Sequence, residues 1–549
     1  MILANFPLTK KQSSRFGIYY YCLDQDEKVV GNSSKKLIFN GYLYPDCKYS
    51  LEDLFRHFSK GKIENSFTRF KGRFCGIFID KNQNKIIIFN DKLGLNDLFY
   101  LYNNKQLIIT NKFVNFFSIR NFTKNDLDII ALAEFLLYEH VFLDRTFIKD
   151  IKLLRYANLK QFSTKKNTSN NFYYWKYRFR SSRLNKEQKL EKLDSLFKQA
   201  AKRIHKLHPN KKFLLGLSGG LDSRLVAKYA VQEGMTVRPF VFGHQQSDSF
   251  KISKEIAKKL SLKTRTLVIK SEYWRWRQKL IRQHPMMNLM YSAYCSVMDQ
   301  LDQNKTMLTG FNGDNLFGSH INKIDFNPKK STIFKIKKKY NLATDNFFSK
   351  RIIKKIDQDL QTYEISNTPD WQRKEIFNYE NRQLRFIKNS PSFTYCGKFS
   401  PTYSIFADID VVEFALTLTK KQLYKSSFYH DFFKTYHPEL ATIRPERKPY
   451  SISDHWFVKL QKKCILKSKM MVKKKLGIDL PFFSSIKFSS ALDWNCLFNQ
   501  LDFESELRRI DIPEFNEELL ELDEGNVKNI RLKFHYLTIQ HFLEMYIDD

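Results

Sequence analysis

The run Phe213–Ser223, reading F-L-L-G-L-S-G-G-L-D-S, constrains the fold of this chain more than any other segment. Mostly apolar residues enter a Ser-Gly-Gly turn, and a helix-like stretch, Leu221–Ala230, leaves it at once. That succession predicts a buried strand, a tight turn and a helix N-terminus. Glycines let the backbone turn sharply and approach a ligand without a Cβ in the way. The free N–H groups of the first helical turn then face whatever anion sits in the loop, and a phosphate is the natural occupant. A strand over Thr236–Gly243, a helix over Ser253–Leu260 and a strand over Thr264–Lys270 follow. This βαβαβ order predicts a doubly wound parallel sheet.

Two common phosphate loops are excluded. No Lys-Ser/Thr closes the turn as in a Walker loop, and G-x-G-x-x-G is absent. S-G-G-L-D-S instead resembles the pyrophosphate loop of enzymes that cleave ATP between its α and β phosphates. The resemblance implies that Ser218, Gly219, Gly220 and Ser223 hold the pyrophosphate and that Asp222 binds Mg²⁺. A second apolar run, Lys305–Gly318 (K-T-M-L-T-G-F-N-G-D-N-L-F-G), also ends in a glycine-rich turn with one carboxylate. A hard cation on phosphates takes only one or two protein carboxylates, so Asp314 is expected to complete the metal shell with Asp222.

With both motifs present, the chain resembles the asparagine synthetase family over nearly its whole length. Phe39–Tyr44 (F-N-G-Y-L-Y) resembles the F-N-G-E-I-Y segment of that family's class II glutamine amidotransferase domain. Gly72–Asp80, followed by Asn90–Leu95 and Leu98–Tyr100, is similar to its G-x-F-A … R-D-x-x-G-x-x-P-L-Y-Y stretch. Phe406–Leu416 and Arg444–Pro445 resemble the F-L-D-x-x-x-V-E-F-A-L helix and the R-P-K segment. The implied fold is α/β: an amidotransferase-like αββα sandwich over residues 1–180, then a doubly wound ATP pyrophosphatase domain with a helical C-terminal part over 181–549. The polar stretch Ser163–Asn171 precedes Tyr173-Tyr174-Trp175, which matches the end of the first domain.

Departures from the family pattern sharpen the expectation. A working class II glutaminase needs cysteine directly after the initiator methionine, because its thiolate attacks the amide while its own α-amino group acts as base. Residue 2 is Ile2, the first cysteine is Cys22 inside a strand-like run, and the Glu of F-N-G-E is Tyr42. The glutamine-holding H-R-G-P-D segment has no counterpart. The domain is therefore expected to lack glutaminase activity. In the second motif, the family's glutamate after S-G and the acidic residue after its aspartate are Phe311 and Asn315 here. A phenyl ring cannot accept a proton, so the incoming amine finds no general base at that position. The β-lactam synthetases and lasso-peptide cyclases are branches that also lack a working glutaminase; the former have a tyrosine at the place of Phe311.

The resemblance implies an ATP- and Mg²⁺-dependent amide synthetase that releases AMP and pyrophosphate. Adenine is expected near Leu217, Val241–Phe242 and the Thr309–Gly310 backbone, with Phe311 in the substrate pocket. A basic residue of the R-P-x-x-K region is expected to stabilise pyrophosphate and the tetrahedral intermediate. Lys448 is the first candidate and Arg447 the second, because Glu446 stands where the family's lysine usually does. The favoured reading is peptide or natural-product maturation such as macrocyclisation, whose partners would be a small-molecule or peptide substrate, a precursor peptide and its protease. A divergent asparagine synthetase using free ammonia is the first alternative. An RNA-modifying pyrophosphate-loop enzyme is the second, and the amidotransferase-like domain speaks against it.

Composition adds bounds. Seven scattered cysteines, none in C-x-x-C, argue against disulfides and structural zinc, and a reducing cytoplasm fits. No apolar run is long enough to span a bilayer, and no signal-peptide core is present. The net charge of +36 would attract RNA, anionic lipid or acidic peptides. Solvated lysines of an A/T-rich genome are the favoured explanation, with nucleic acid not the expected partner. Lys459–Lys475 mixes lysine with Leu, Ile, Met and Val, as a surface helix or a helix lying on a membrane or partner would. The acidic segment Glu517–Glu524 is a candidate neighbour for part of this charge.

Overall fold

The computed structural model describes residues 2–4, 14–16, 19–23, 27–61, 66–103, 106–163, 168–242, 248–267, 273–301, 306–342, 347–364, 368–383, 402–446, 448–476, 507, 510 and 527–548. Arg447 and the acidic segment 517–524 lie outside them.

Twelve strands form two antiparallel sheets in the N-terminal part. They are β1 (Ile2–Ala4), β2 (Ser14–Phe16), β3 (Tyr19–Cys22), β4 (Glu27–Gly31), β5 (Lys35–Leu43) and β6 (Gly72–Asp80). The set continues with β7 (Lys85–Asn90), β8 (Phe99–Asn103), β9 (Gln106–Thr110), β10 (Ile151–Leu153), β11 (Asn158–Ser163) and β12 (Thr168–Tyr173). One sheet has the order β10-β8-β9-β1-β3-β2, the other β12-β11-β7-β6-β5-β4. Alternation along the strands sorts their side chains between two cores. Cys75, Ile77 and Ile79 of β6, with Ile86 and Ile88 of β7, pack against Leu107 and Ile109 of β9 in the core between the sheets. The intervening Phe74, Phe78, Ile87 and Phe89 face the other way, where Phe58 of helix Leu51–Ser59 stacks 5.0 Å from Phe78. On the far side, Phe99, Leu101 and Ile108 meet helix Ile129–Tyr138. The result is the expected αββα layering.

Five parallel strands follow: β13 (Lys212–Gly216), β14 (Thr236–Phe242), β15 (Arg265–Leu267), β16 (Thr306–Leu308) and β17 (Thr402–Tyr403). Their order is β15-β14-β13-β16-β17, every neighbouring pair parallel. The sheet is built outward in both directions from β13, so the chain reverses its winding between β13 and β16. In such sheets the crevice at the C-terminal strand ends of that pair is the ligand site. Within the third predicted strand, Thr264–Lys270, the described part is extended over Arg265–Leu267 and residues 268–270 lie outside the described residues, while the helix expected over Ser253–Leu260 runs from Asp248 to Lys259.

We propose the division between the two parts near residue 180, in the extended chain between β12 and helix Lys186–Leu207. One apolar core runs continuously across it, from Phe74 and Phe89 to Phe213 and Phe406. Arg203 on that helix bridges the two parts. Its guanidinium is 2.8 Å from Asp46 and 2.9 Å from both Asp408 and Asp410, and it lies over the Tyr44 ring at 4.4 Å. Lys71–Asp410 at 2.6 Å and Lys92–Glu413 at 2.9 Å extend the charged seam. Burial pushes the Asp408 carboxyl up to about 6 even with Arg203 against it.

Removing one member of a buried charge network leaves the others unpaired in a poor solvent. Arg203→Ala is therefore expected to lower the unfolding free energy by about 3–5 kcal/mol. Urea denaturation checks this, and an unchanged midpoint would show that the seam is not structural.

Candidate active site at the carboxyl ends of the parallel strands

The first loop is organised by its own serines. Leu217 N–H donates to Phe240 O at 2.9 Å, carrying the strand pairing one residue past β13. Ser218 N–H then donates to Ser223 Oγ at 3.1 Å, and Gly220 N–H to Ser218 Oγ at 3.2 Å. Helix Leu221–Gln232 starts at Gly220, whose missing side chain leaves the first helical N–H groups without a side-chain cap. That opening suits an anion rather than a protein acceptor.

The second loop lies on top of the first. A Cβ on Gly310 would stand 2.6 Å from Ser223 N, and one on Gly313 would stand 2.5 Å from the Asp222 carboxyl carbon. Only glycine permits that approach. The contact brings the two aspartates together: Asp314 N–H donates to Asp222 Oδ2 at 2.9 Å, and Tyr429 O–H donates to Oδ1 at 2.7 Å. Burial, followed by the charge of Asp314, pushes the Asp222 carboxyl well above the usual carboxylate range. Desolvation works against the Asp314 charge, but the hydrogen bond and charge of His320, 3.4 Å away, hold its carboxyl below the usual range. The Asp314 side chain stays 53% exposed. Two neighbouring aspartates, one of them with its side chain open to solvent, are a donor set that fits a divalent cation shared with phosphates.

Leu217, Val241, Thr309 and Gly310 all sit at the C-terminal ends of β13, β14 and β16, around the winding reversal. Thr309 N–H donates to Tyr403 O at 2.9 Å. Phe311 is half-buried, and its carbonyl accepts Ser404 Oγ–H at 2.7 Å.

The R-P-x-x-K segment reaches the site through the backbone. Glu446 N–H donates to Gly219 O at 3.0 Å, so Glu446 belongs to the loop's framework. Among the described residues the Lys448 ammonium has no acidic partner. Burial, then Lys459 and Lys463, pull its pKa below the usual lysine range. His430, one residue beyond Tyr429, is held down to about 4 by burial and by Lys448, Lys459 and Lys434. It is neutral at pH 7.

Arg224 is the residue that the sequence reading missed. Its side chain is fully buried, and Nε donates to Gly220 O at 2.9 Å. Nη2 donates to Gly219 O at 3.0 Å and Arg444 O at 3.4 Å; Nη1 donates to Leu440 O at 3.0 Å and Ile443 O at 2.9 Å. One guanidinium thus ties the first loop to the segment leading to Lys448. A basic residue on the buried face of the first helical turn, directly after D-S, was the available signal. Tyr429 and His430 had none, because their role comes from chain distant in sequence, whereas His320 lies only six residues beyond Asp314.

In the N-terminal half, Ile2 is 2% exposed in β1, paired with Cys22 on one side and Thr110 on the other. Cys22 lies within the antiparallel strand β3, not at a chain end. The Tyr42 ring packs 5.5 Å from that of Tyr403, facing the parallel sheet. Asn40, beside it, is engaged by Asn96 at 3.2 Å and Glu27 at 3.2 Å.

A glutamine amidotransferase domain model matches residues 52–175, and an asparagine synthase model matches residues 192–392. No curated protein matches. Among solved structures, the allosteric regulatory enzyme of purine biosynthesis aligns at 10% identity and a TM-score of 0.19, over 43% of this chain and 61% of that one. The glutamine phosphoribosylpyrophosphate amidotransferase from B. subtilis, complexed with ADP and GMP, aligns at 10% and 0.19 over 51% and 76%. The glutamine-dependent NAD⁺ synthetase from Acinetobacter baumannii, in complex with ADP, aligns at 15% and 0.19 over 42% and 41%. The chain thus spans less than two thirds of the first and third of these proteins.

Lysine cannot reproduce the planar fork of Arg224. Arg224→Lys is expected to raise the dissociation constant for ATP by about tenfold or more, the cost of leaving buried carbonyls unpaired. Isothermal titration measures it, and unchanged affinity would detach the loop from this guanidinium.

Proposed function

Taking the chain as a member of the asparagine synthetase family with an amidotransferase-like N-terminal domain, we propose that it is an AMP-forming amide synthetase whose glutaminase half is inactive. The two domains support ATP-dependent carbon–nitrogen ligation in general. The finer reading rests on one observation above all: Asp222 and Asp314 meet beneath the S-G-G loop at the winding reversal of the parallel sheet.

ATP would lie with its adenine against Leu217, Val241 and the Thr309–Gly310 backbone, and its phosphates over Ser218–Gly220 and Ser223. A substrate carboxylate oxygen attacks the α-phosphorus while the α–β phosphoanhydride bond breaks, giving an acyl-adenylate and pyrophosphate. Mg²⁺ held by Asp222 and Asp314 would neutralise charge on the departing pyrophosphate. The Lys448 ammonium, without an acidic partner among the described residues and partly desolvated, suits the same leaving group. An amine nitrogen then attacks the acyl carbon, AMP departs, and the amine loses a proton. Phe311 provides no acceptor for that proton, so the amine must arrive neutral or lose it to substrate or water.

Several features of the N-terminal half support an inactive glutaminase. Ile2 carries no nucleophile, the Cys22 backbone is committed to a strand ladder, and Tyr42 points at the parallel sheet rather than at a glutamine. An apolar Phe311 also suits a larger substrate carrying both amine and carboxylate, because holding both ends replaces chemical assistance with effective concentration. Macrocyclisation of a peptide is such a reaction.

With its carboxylate substrate and Mg²⁺, the protein should convert ATP to AMP and pyrophosphate. Asp222→Asn or Asp314→Asn should slow this by about 10²–10³-fold. Release of ADP and orthophosphate would sink the reading.

No glutamate should form from glutamine, with or without Ile2→Cys. No asparagine should form from aspartate, ATP and ammonium. Amino-acid analysis of the reaction mixtures decides both. Asparagine formation would favour the ammonia-using synthetase, and glutamate formation would return the N-terminal half to work.

A further inference from the structure

We propose that the outward face of helix Trp456–Leu476 docks on the surface of an anionic lipid bilayer. The helix is rooted along one side. Lys459 Nζ donates to Ile452 O at 2.8 Å, Lys462 pairs with Asp454 at 2.7 Å, and Lys459 and Lys463 lie over the Tyr450 ring at 5.9 and 5.3 Å. Its other side carries Trp456, Phe457, Leu460 and Ile465, exposed by 66%, 55%, 51% and 48%, the four most exposed large apolar side chains among the described residues. Trp456, Phe457 and Leu460 lie within about one helical turn, and Ile465 lies two turns beyond Phe457, so the four cover about half of the helix circumference. A helix on a globular protein normally turns such a face toward the core. This one turns Lys459 and Lys462 back toward the protein and the aromatic residues toward water.

Charge selects the occupant. The helix contains no aspartate or glutamate, and beyond Ile465 its sequence adds Lys467, Lys469 and Lys473–Lys475. Aromatic and aliphatic side chains beside lysines suit the boundary of headgroups and acyl chains, with the ammonium groups on anionic headgroups. A second copy of the same lysine-rich face would be repelled, the more so in a chain of net charge +36. No described helix is long and apolar enough to cross a membrane, so the contact is with the bilayer surface. None of these residues belongs to the proposed active site, and the inference stands independently of that reading.

Co-sedimentation of the full chain with vesicles of phosphatidylglycerol in phosphatidylcholine, and of phosphatidylcholine alone, tests it. Wild-type protein should pellet with the anionic vesicles and remain in solution with the neutral ones. The triple variant W456A/F457A/L460A should bind anionic vesicles about tenfold more weakly or worse, with its melting temperature and ATP affinity unchanged. Three results would overturn the proposal. Wild-type protein could fail to pellet with anionic vesicles. The variant could bind them as tightly as wild type, which would assign binding to diffuse charge. Sedimentation velocity could reveal a wild-type dimer that the variant dissolves, giving the face to a second copy.

Discussion

Arg224 directs every N–H of its buried guanidinium at a backbone carbonyl, and both halves of the proposed site depend on those five bonds. Two go to the carbonyls of Gly219 and Gly220 in the first loop. Three go to Leu440, Ile443 and Arg444, the stretch that delivers Lys448. Burial lowers the guanidinium pKa to about 10, yet it stays charged at neutral pH. A cation desolvated this completely is tolerated only because its donors are all met. The same bonds fix a glycine turn that has little rigidity of its own, so the loop is preorganised for an anion rather than ordered by it.

The aspartate pair shows the opposite balance. Here burial and the charge of Asp314 both disfavour the Asp222 carboxylate. Tyr429 and the Asp314 N–H hold the Asp222 carboxyl in place, while His320 steadies Asp314. A carboxylate that its surroundings disfavour gains most from a bound cation. Glycine at 310 and 313 is what allows the approach, since any side chain there would push the second loop off the first.

The N-terminal half packs as the amidotransferase layers do, but its contacts are directed at holding the molecule together. Arg203, with Asp46, Asp408 and Asp410, crosses between the two halves, and Tyr42 meets Tyr403 over the same seam. Deleting the N-terminal part would expose the continuous core running from Phe89 to Phe213.

Much of the fold was legible in the chain itself. F-L-L-G-L-S-G-G-L-D-S predicts strand, turn and helix, because its signals are local. The aspartates could be paired in advance because each sits at a fixed place in a glycine turn. Tyr429 and the Arg224 bonds to Leu440, Ile443 and Arg444 were not legible, since each depends on a partner brought close only by tertiary packing. Glu446 illustrates the limit: its position beside Lys448 suggested a displaced charge, whereas its backbone N–H is what matters, donating to Gly219 O. The exposed face of helix Trp456–Leu476 belongs to the same class. Sequence fixes where its lysines and aromatics lie around the helix, but only the packing of Lys459 and Lys462 against Tyr450, Ile452 and Asp454 decides which side meets water. Local chemistry sets what a segment can form; the direction in which it faces is decided by the rest of the chain.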